Sequence, residues 1–177
     1  MAWSGMKLSG VEWSGVEWNG MEYNGMELRG LDWNGFDCSG IISLNRFTNC
    51  EKIEIADTAM TRVNRIDIIG LTRLQEIISG DGSCGLLSEL SVMNTTFDQL
   101  CSIQIGSNSL NELTSMRVLN AASLRSLSIG SSSLQKLDQF RMSFFSSLQS
   151  VRIGSHSLTS VRELELNGLQ KLDQLEI

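Results

Sequence analysis

Four cysteines and one histidine are the residues of this sequence that could bind a metal, form a redox pair or supply a nucleophile. The cysteines stand at positions 38, 50, 84 and 101, with no C-x-x-C pair and no metal-ligand spacing. A zinc site would have to gather these scattered thiols, so we expect none. Cys38, Cys50 and Cys84 occupy apolar positions of the repeats described below, which predicts small buried side chains, whereas Cys101 should be partly exposed.

The histidine, His156, lies in the segment GSHSL, where two equivalent segments carry Asn108 and Ser132. No acid or nucleophile is fixed beside it in the sequence, so a turn residue is a better interpretation than a general base. The many serines recur at equivalent repeat positions, which accounts for them without catalysis. We therefore expect no enzyme, no cofactor and no metal.

The elements that carry these residues must form within 177 residues, of which 41% are hydrophobic, enough for one domain or two small ones. A net charge of −6 argues against a nucleic-acid partner or an acidic membrane, since both need a basic footprint. No apolar run approaches the roughly 18 residues of a membrane span, and we expect no signal peptide. Proline is absent, which favours short, regular turns. The compartment is not predicted.

The first forty residues repeat every five positions, with glycine at each fifth residue from Gly5 to Gly40, as in VEWSGVEWNG. The first and third positions of each pentad are almost always apolar, and the second is mostly acidic. Each pentad therefore predicts a short strand followed by a turn dipeptide. The alternative is a low-complexity arm, because Met-Glu-Trp-Asn-Gly is the five-base unit GGAAT read in tandem.

This segment resembles the pentapeptide-repeat family, whose members form a square right-handed β-helix with four pentads to a coil. The resemblance covers residues 1–40. Here position one holds Met, Val, Leu or Phe and position three holds four Trp, which would overfill a narrow coil and predicts a wider or looser one. Five pentads make about one 24-residue coil, so a continuous join to the following repeats is plausible.

A second repeat, with a 24-residue period, occupies the rest of the chain. The segments LCSIQIGSNSL, LRSLSIGSSSL and LQSVRIGSHSL begin at Leu100, Leu124 and Leu148. An earlier repeat begins at Cys50 and the next at Leu74, and the repeat from Leu74 to Leu100 is longer than the others by a two-residue insertion near residues 93–96. Self-similarity at such a period is typical of a solenoid.

Counted from the first residue of each repeat, positions 1, 4, 6, 11, 14, 17 and 19 are apolar in most repeats. The spacing of positions 1, 4 and 6 does not keep one face of a helix, and Gly-Ser segments interrupt every candidate helix. The sequence predicts an all-β, parallel β-solenoid with two short strands per coil and with pentad coils or a low-complexity arm at its N-terminus. We assign residues 1–40 to the pentads and residues 41–177 to the solenoid. The two parts are predicted to form one continuous stack without a linker.

Residues 41–177 resemble the leucine-rich repeats of the BspA-like type, through the period and the paired motif L-x-x-I-x-I followed by a polar turn. The departures are Gly106, Gly130 and Gly154, where that type favours proline, and a unit one residue longer. The resemblance implies roles in adhesion and in protein binding at cell surfaces.

Outward positions supply the candidate partner-binding residues. They are Ser102, Gln104, Ser126, Ser128, Ser150 and Arg152 on the first strand of the coil, and Arg117 and Arg141 on the second. A solvated face is the alternative interpretation of the charged columns. The leading hypothesis is a non-enzymatic scaffold for protein binding or adhesion, with a protein or glycan partner and no nucleic acid.

Two other functions stay open from the sequence. Acidic pentads could mimic DNA and bind a DNA-binding enzyme, or the chain could be a non-functional fragment of a repetitive locus. The sequence stops at Ile177, in the middle of a strand motif, which predicts an uncapped coil. We expect a fragment of a longer array, with self-association through that coil as the consequence.

Overall fold

The computed structural model describes residues 11–13, 30–33, 39–44, 49–93, 99–119, 121–143, 145–166 and 168–177. Those residues form β-strands joined by turns, and no helix occurs among them. The strands are β1 (Val11–Trp13), β2 (Gly30–Trp33), β3 (Ser39–Ser43), β4 (Lys52–Ile55), β5 (Arg62–Ile69), β6 (Glu76–Ser79), β7 (Glu89–Met93), β8 (Ser102–Ile105), β9 (Ser115–Leu119), β10 (Ser126–Ile129), β11 (Gln139–Ser143), β12 (Ser150–Ile153), β13 (Glu163–Leu166) and β14 (Gln174–Glu176). None of the described segments offers a helix that could span a bilayer.

The strands form two sheets, and from β3 onward consecutive strands alternate between them. The first sheet has the order β1-β2-β4-β6-β8-β10-β12-β14, and the second has the order β13-β11-β9-β7-β5-β3. Every pairing is parallel, and Ser126, for example, lies between Ser102 and Ser150. The chain is therefore an all-β, parallel solenoid of 24-residue coils, which confirms the predicted fold class.

The core lies between the two sheets and is built from columns of equivalent residues. Position 1 shows this best, since each of its side chains is at most 1% exposed from the first to the fifth repeat: Cys50, Leu74, Leu100, Leu124 and Leu148. Such stacking buries apolar surface that no single coil could bury by itself. In the last coil Leu175 and Ile177 are 53% and 84% exposed, and self-association through it stays a prediction.

One core column was missing from the sequence-based prediction. Leu71, Ala121 and Phe145 occupy position 22, just before the next coil begins, and all three are fully buried. Their sizes differ so widely that the column gives no uniform apolar signal in the sequence. The structure shows that they anchor the turn from the second sheet back to the first.

The pentads join the solenoid directly at β2 and β3. Leu31 of β2 pairs with Ile53, and Val11 of β1 pairs with Leu31, so β1 and β2 are separated by four pentads rather than five. A register shift lies between Gly40 and Ile41, and the 24-residue spacing starts at Ile41, opposite Arg65. The other pentad residues, Cys38 among them, lie outside the described residues, and so do the predictions that concern them.

The two-residue insertion lies between β7 and β8. Val92 of β7 still keeps the regular 24-residue spacing from its partner Ile68, whereas the spacing between Ser102 of β8 and its partner Glu76 is longer by two. The extra residues therefore fall after Met93, where the sequence predicted them, and the structure does not describe residues 94–98.

Candidate interaction surface

The turns that follow β6, β8, β10 and β12 in the first sheet are nearly identical. We name it the glycine–serine corner, comprising residues 80–84, 106–110, 130–134 and 154–158. Its third and fifth residues have left-handed backbone torsions, with φ between 53° and 65°. These residues are Gly82, Cys84, Asn108, Leu110, Ser132, Leu134, His156 and Leu158. His156 is therefore an exposed turn residue, as predicted.

The first residue of this corner is a glycine because the coils approach each other closely there. A Cβ atom on Gly130 would lie 2.5 Å from the backbone nitrogen of Ser107, and one on Gly154 would lie 2.5 Å from that of Ser131. The Gly130 N–H also donates to the carbonyl of Ile105 at 2.7 Å. Proline could not make this hydrogen bond, which explains why glycine stands where BspA-like repeats favour proline.

A ladder of inward-pointing serines links the same corners, and we name it the serine ladder: Ser83, Ser109 and Ser133, which are buried, and Ser157, which is half-buried. Ser133 Oγ donates to the carbonyl of Gly106 at 2.6 Å and accepts from the backbone N–H of Ser109 at 3.2 Å. The neighbouring coils repeat both contacts. The recurring serine was visible in the sequence, but its inward direction was not predicted.

The candidate residues of the first sheet lie side by side on β8, β10 and β12. Gln104 and Arg152 are exposed, and the three serines of β10 and β12 are half-buried. Ser102 differs from the prediction, because it is only 8% exposed. Gln104 Nε2 lies 3.4 Å and Ser126 Oγ lies 3.2 Å from its hydroxyl, so its neighbours cover it.

The middle of this surface carries no charge, and ion pairs lie at its two ends. We name its uncharged part the hydroxyl–amide face: Ser102, Gln104, Ser126, Ser128 and Ser150. On one side Glu76 of β6 lies beside Ser102, and on the next strand, β4, Lys52 pairs with Glu54 at 2.6 Å. At the other end Arg152 pairs with Glu176 at 3.2 Å and donates to Gln174 at 3.2 Å.

Arg117 and Arg141 lie on the second sheet, on the other side of the solenoid. Their backbones are neighbours in β9 and β11, and Arg141 also pairs with Glu165 of β13. Their side chains lie outside the part that the structure describes. The eight candidate residues therefore lie on two surfaces. The structure describes the side chains of those on the first sheet.

The three described cysteines show the burial predicted from their repeat positions. Cys50 and Cys84 are fully buried, and Cys101 is half-buried, with its thiol donating to the carbonyl of Gln75 at 3.3 Å. Burial raises the pKa of the Cys50 thiol to about 11, so it stays protonated at neutral pH. Within the described ranges no three His, Cys, Asp or Glu residues are grouped to hold a metal ion.

Comparison with models of protein families, with curated proteins and with solved structures gave no match for this chain. The resemblances to BspA-like leucine-rich repeats and to pentapeptide repeats therefore depend on the sequence patterns alone.

Proposed function

We propose that the protein is a non-enzymatic repeat scaffold that binds a protein partner through the hydroxyl–amide face. The observation that carries the proposal is the uncharged middle of the first sheet, where Gln104, Ser126, Ser128 and Ser150 lie in register on three neighbouring strands. Short hydroxyl side chains lose little conformational entropy when a partner covers them. The strands beneath are fixed by coil-to-coil hydrogen bonds, so the surface is already organised before binding.

The size of the face determines how a partner must bind. Three strands about 4.8 Å apart span about 10 Å, and positions 3 and 5 of a strand lie about 7 Å apart. A stable protein interface buries about 800 Å² on each partner, which is more than this face offers. The partner must therefore also contact the exposed side chains at its border, such as Arg125, Gln149 and Arg152.

The resemblance to BspA-like repeats supports adhesion as the setting for this binding. A glycan is the second class of partner that the proposal admits, because hydroxyl and amide groups can exchange hydrogen bonds with sugar hydroxyls. Mimicry of DNA would depend on the acidic pentads of residues 1–40 and is not part of the proposal.

The test compares two variants of the immobilised full chain, Ser128→Arg on the hydroxyl–amide face and Gln139→Arg on the second sheet. Both should keep the wild-type circular dichroism and melting temperature, because both positions point away from the core. Quantitative mass spectrometry of bound surface proteins, and a glycan array, should show a partner that binds wild type and Gln139→Arg but not Ser128→Arg. Partners that bind all three chains equally would contradict the proposed surface.

A further inference from the structure

A cavity of about 40 Å³ lies inside the solenoid, between the two sheets of the coil formed by residues 74–99. Its walls include Ser79 and Cys84 from that coil, Ile55 and Ile105 from the coils on either side, and Leu90 from the second sheet. The cavity therefore lies within the core, and Gln104 of the hydroxyl–amide face also contributes to its wall.

Two small residues in one coil account for this cavity. Ser79 stands at position 6, where the neighbouring coils have Ile55 and Ile105, and the three side by side form one column of the first sheet. Cys84 stands at position 11, where the next coil has Leu110. Because both positions carry smaller side chains in this coil than in its neighbours, the surrounding side chains cannot close the gap from either side.

The burial of the surrounding side chains agrees with an internal void. Ile77 and Leu90 are half-buried, although they occupy core positions in the middle of the stack. Their equivalents Ile53, Ile103 and Met116 are between 1% and 3% exposed. The surface that Ile77 and Leu90 leave uncovered lies next to the cavity, since both line it.

The cavity is apolar, although a serine contributes to its wall. Ser79 Oγ lies 2.6 Å from Ser83 Oγ, so the hydroxyl bonds along the corner. The described atoms that face the cavity are all apolar. A water molecule needs two to four polar partners, so water has little reason to occupy this space, whereas an apolar cavity of about 150 Å³ in another protein binds benzene or xenon.

We propose that this cavity is a binding site for a small apolar guest, of the size of a xenon atom or a one-carbon halide. The volume excludes a ring, and the apolar lining provides dispersion contacts without a hydrogen bond. The fold thus contains an apolar guest site in its core, next to the proposed partner-binding face.

Xenon is the probe, and the measurement is the xenon-129 chemical shift in solutions of the full chain at increasing protein concentration. Wild type should shift the xenon signal more steeply than Ser79→Ile, in which isoleucine fills the cavity. Ser128→Ile is the matched control, because it makes the same change at an outward position two strands away in the same sheet. It should keep at least the wild-type slope. Equal slopes for wild type and Ser79→Ile would overturn the proposal.

A second variant keeps the proposal testable if Ser79→Ile does not fold. Cys84→Leu fills the cavity from the opposite side with the residue that position 11 holds in the next coil. It should lower the xenon-dependent shift to the level of Ser79→Ile. A Cys84→Leu protein that is folded by circular dichroism and keeps the full wild-type slope would show that xenon binds elsewhere.

Discussion

The two corners of each coil are built on different principles. In the glycine–serine corner the backbone bonds from one coil to the next, as Asn108 N–H does to the carbonyl of Ser131 at 2.9 Å and Ser132 N–H to that of Ser155 at 2.8 Å. The opposite turn of each coil contains Leu71, Ala121 or Phe145, and we name it the anchored corner. Among its described residues the backbone bonds stay within one coil, as from Leu124 N–H to the carbonyl of Ala121 at 3.0 Å. A side-chain bond, from Ser146 Oγ to the carbonyl of Ala122 at 3.4 Å, joins two coils there.

This difference explains where the repeat varies. A corner that bonds to its neighbours must keep the same length in every coil, because one added residue would displace every bond above and below it. A corner that is held by one buried side chain and bonds to itself can change in length and residue type. The two-residue insertion follows β7, on the side of the anchored corner.

The largest expected effect comes from inserting Gly-Gly into each corner in turn. Between Ser131 and Ser132 the insertion should lower the free energy of unfolding by more than about 4 kcal/mol, because it breaks coil-to-coil bonds on both sides. Between Ser146 and Ser147 it should cost only about 1 kcal/mol, mainly in loop entropy. Urea unfolding followed by circular dichroism measures both, and similar losses would refute the distinction between the corners.

Adding one methyl group tests the close approach of the coils. Gly130→Ala should cost about 3 kcal/mol, because its Cβ would contact the backbone of Ser107 and Gly106. Gly70→Ala, beside the anchored corner, should cost only about 1 kcal/mol, since nothing lies within 4 Å and only its φ of +75° opposes alanine. The two thermal unfolding curves compare them directly. A loss at Gly70 as large as that at Gly130 would contradict this account.

Removing one hydroxyl tests the serine ladder. Ser133→Ala should cost about 2 kcal/mol, because the half-buried Gly106 carbonyl and the buried Ser109 N–H both lose a partner. Ser146→Ala, which removes an exposed hydroxyl bonded to the carbonyl of Ala122 at 3.4 Å, should cost less than about 0.5 kcal/mol. Denaturant midpoints at constant m-value are the measurement. A near-neutral Ser133→Ala would show that the ladder contributes little stability.

Alkaline pH should weaken the coil that begins at Cys50. Its pKa rises from 9.0 to about 11 on folding, so the unfolded chain releases this proton first and stability falls between pH 9 and 11. Below pH 9 the thiol is neutral in both states and contributes nothing. The loss due to this residue is on the order of 2 kcal/mol. Cys50→Leu should lack this loss of stability. Urea unfolding at neutral and alkaline pH should therefore show a smaller decrease in the free energy of unfolding for Cys50→Leu than for wild type.

The smallest expected effect is a gain in stability. Ser132 has a φ of 57° in the glycine–serine corner, and Gly82 holds the same place in an earlier coil with a φ of 65°. Ser132→Gly should therefore stabilise by a few tenths of a kcal/mol, since relief of strain slightly exceeds the added entropy of the unfolded chain. Ser146→Gly, in the anchored corner, should destabilise by about 0.5 kcal/mol. Melting temperatures of the two variants should move in opposite directions.

Much of the fold could be predicted from the sequence, while the candidate surface was predicted only in part. The 24-residue period placed Leu100, Leu124 and Leu148 in one core column, and the structure buries all three. The same alternation put Ser126 and Ser128 on the outward face. Ser102 was predicted there too, but Gln104 and Ser126 cover it, and such cover depends on side-chain conformations that a pattern does not contain.

The sequence by itself determined the solenoid, because a repeating apolar pattern that one coil cannot bury can be satisfied only by stacking equivalent coils. The tertiary structure decided what depends on atoms from a neighbouring coil. The inward direction of Ser133, the need for glycine at Gly130 and the gap beside Ser79 all follow from the distance between coils. That distance is set by the parallel hydrogen bonds of the two sheets, and no single repeat specifies it.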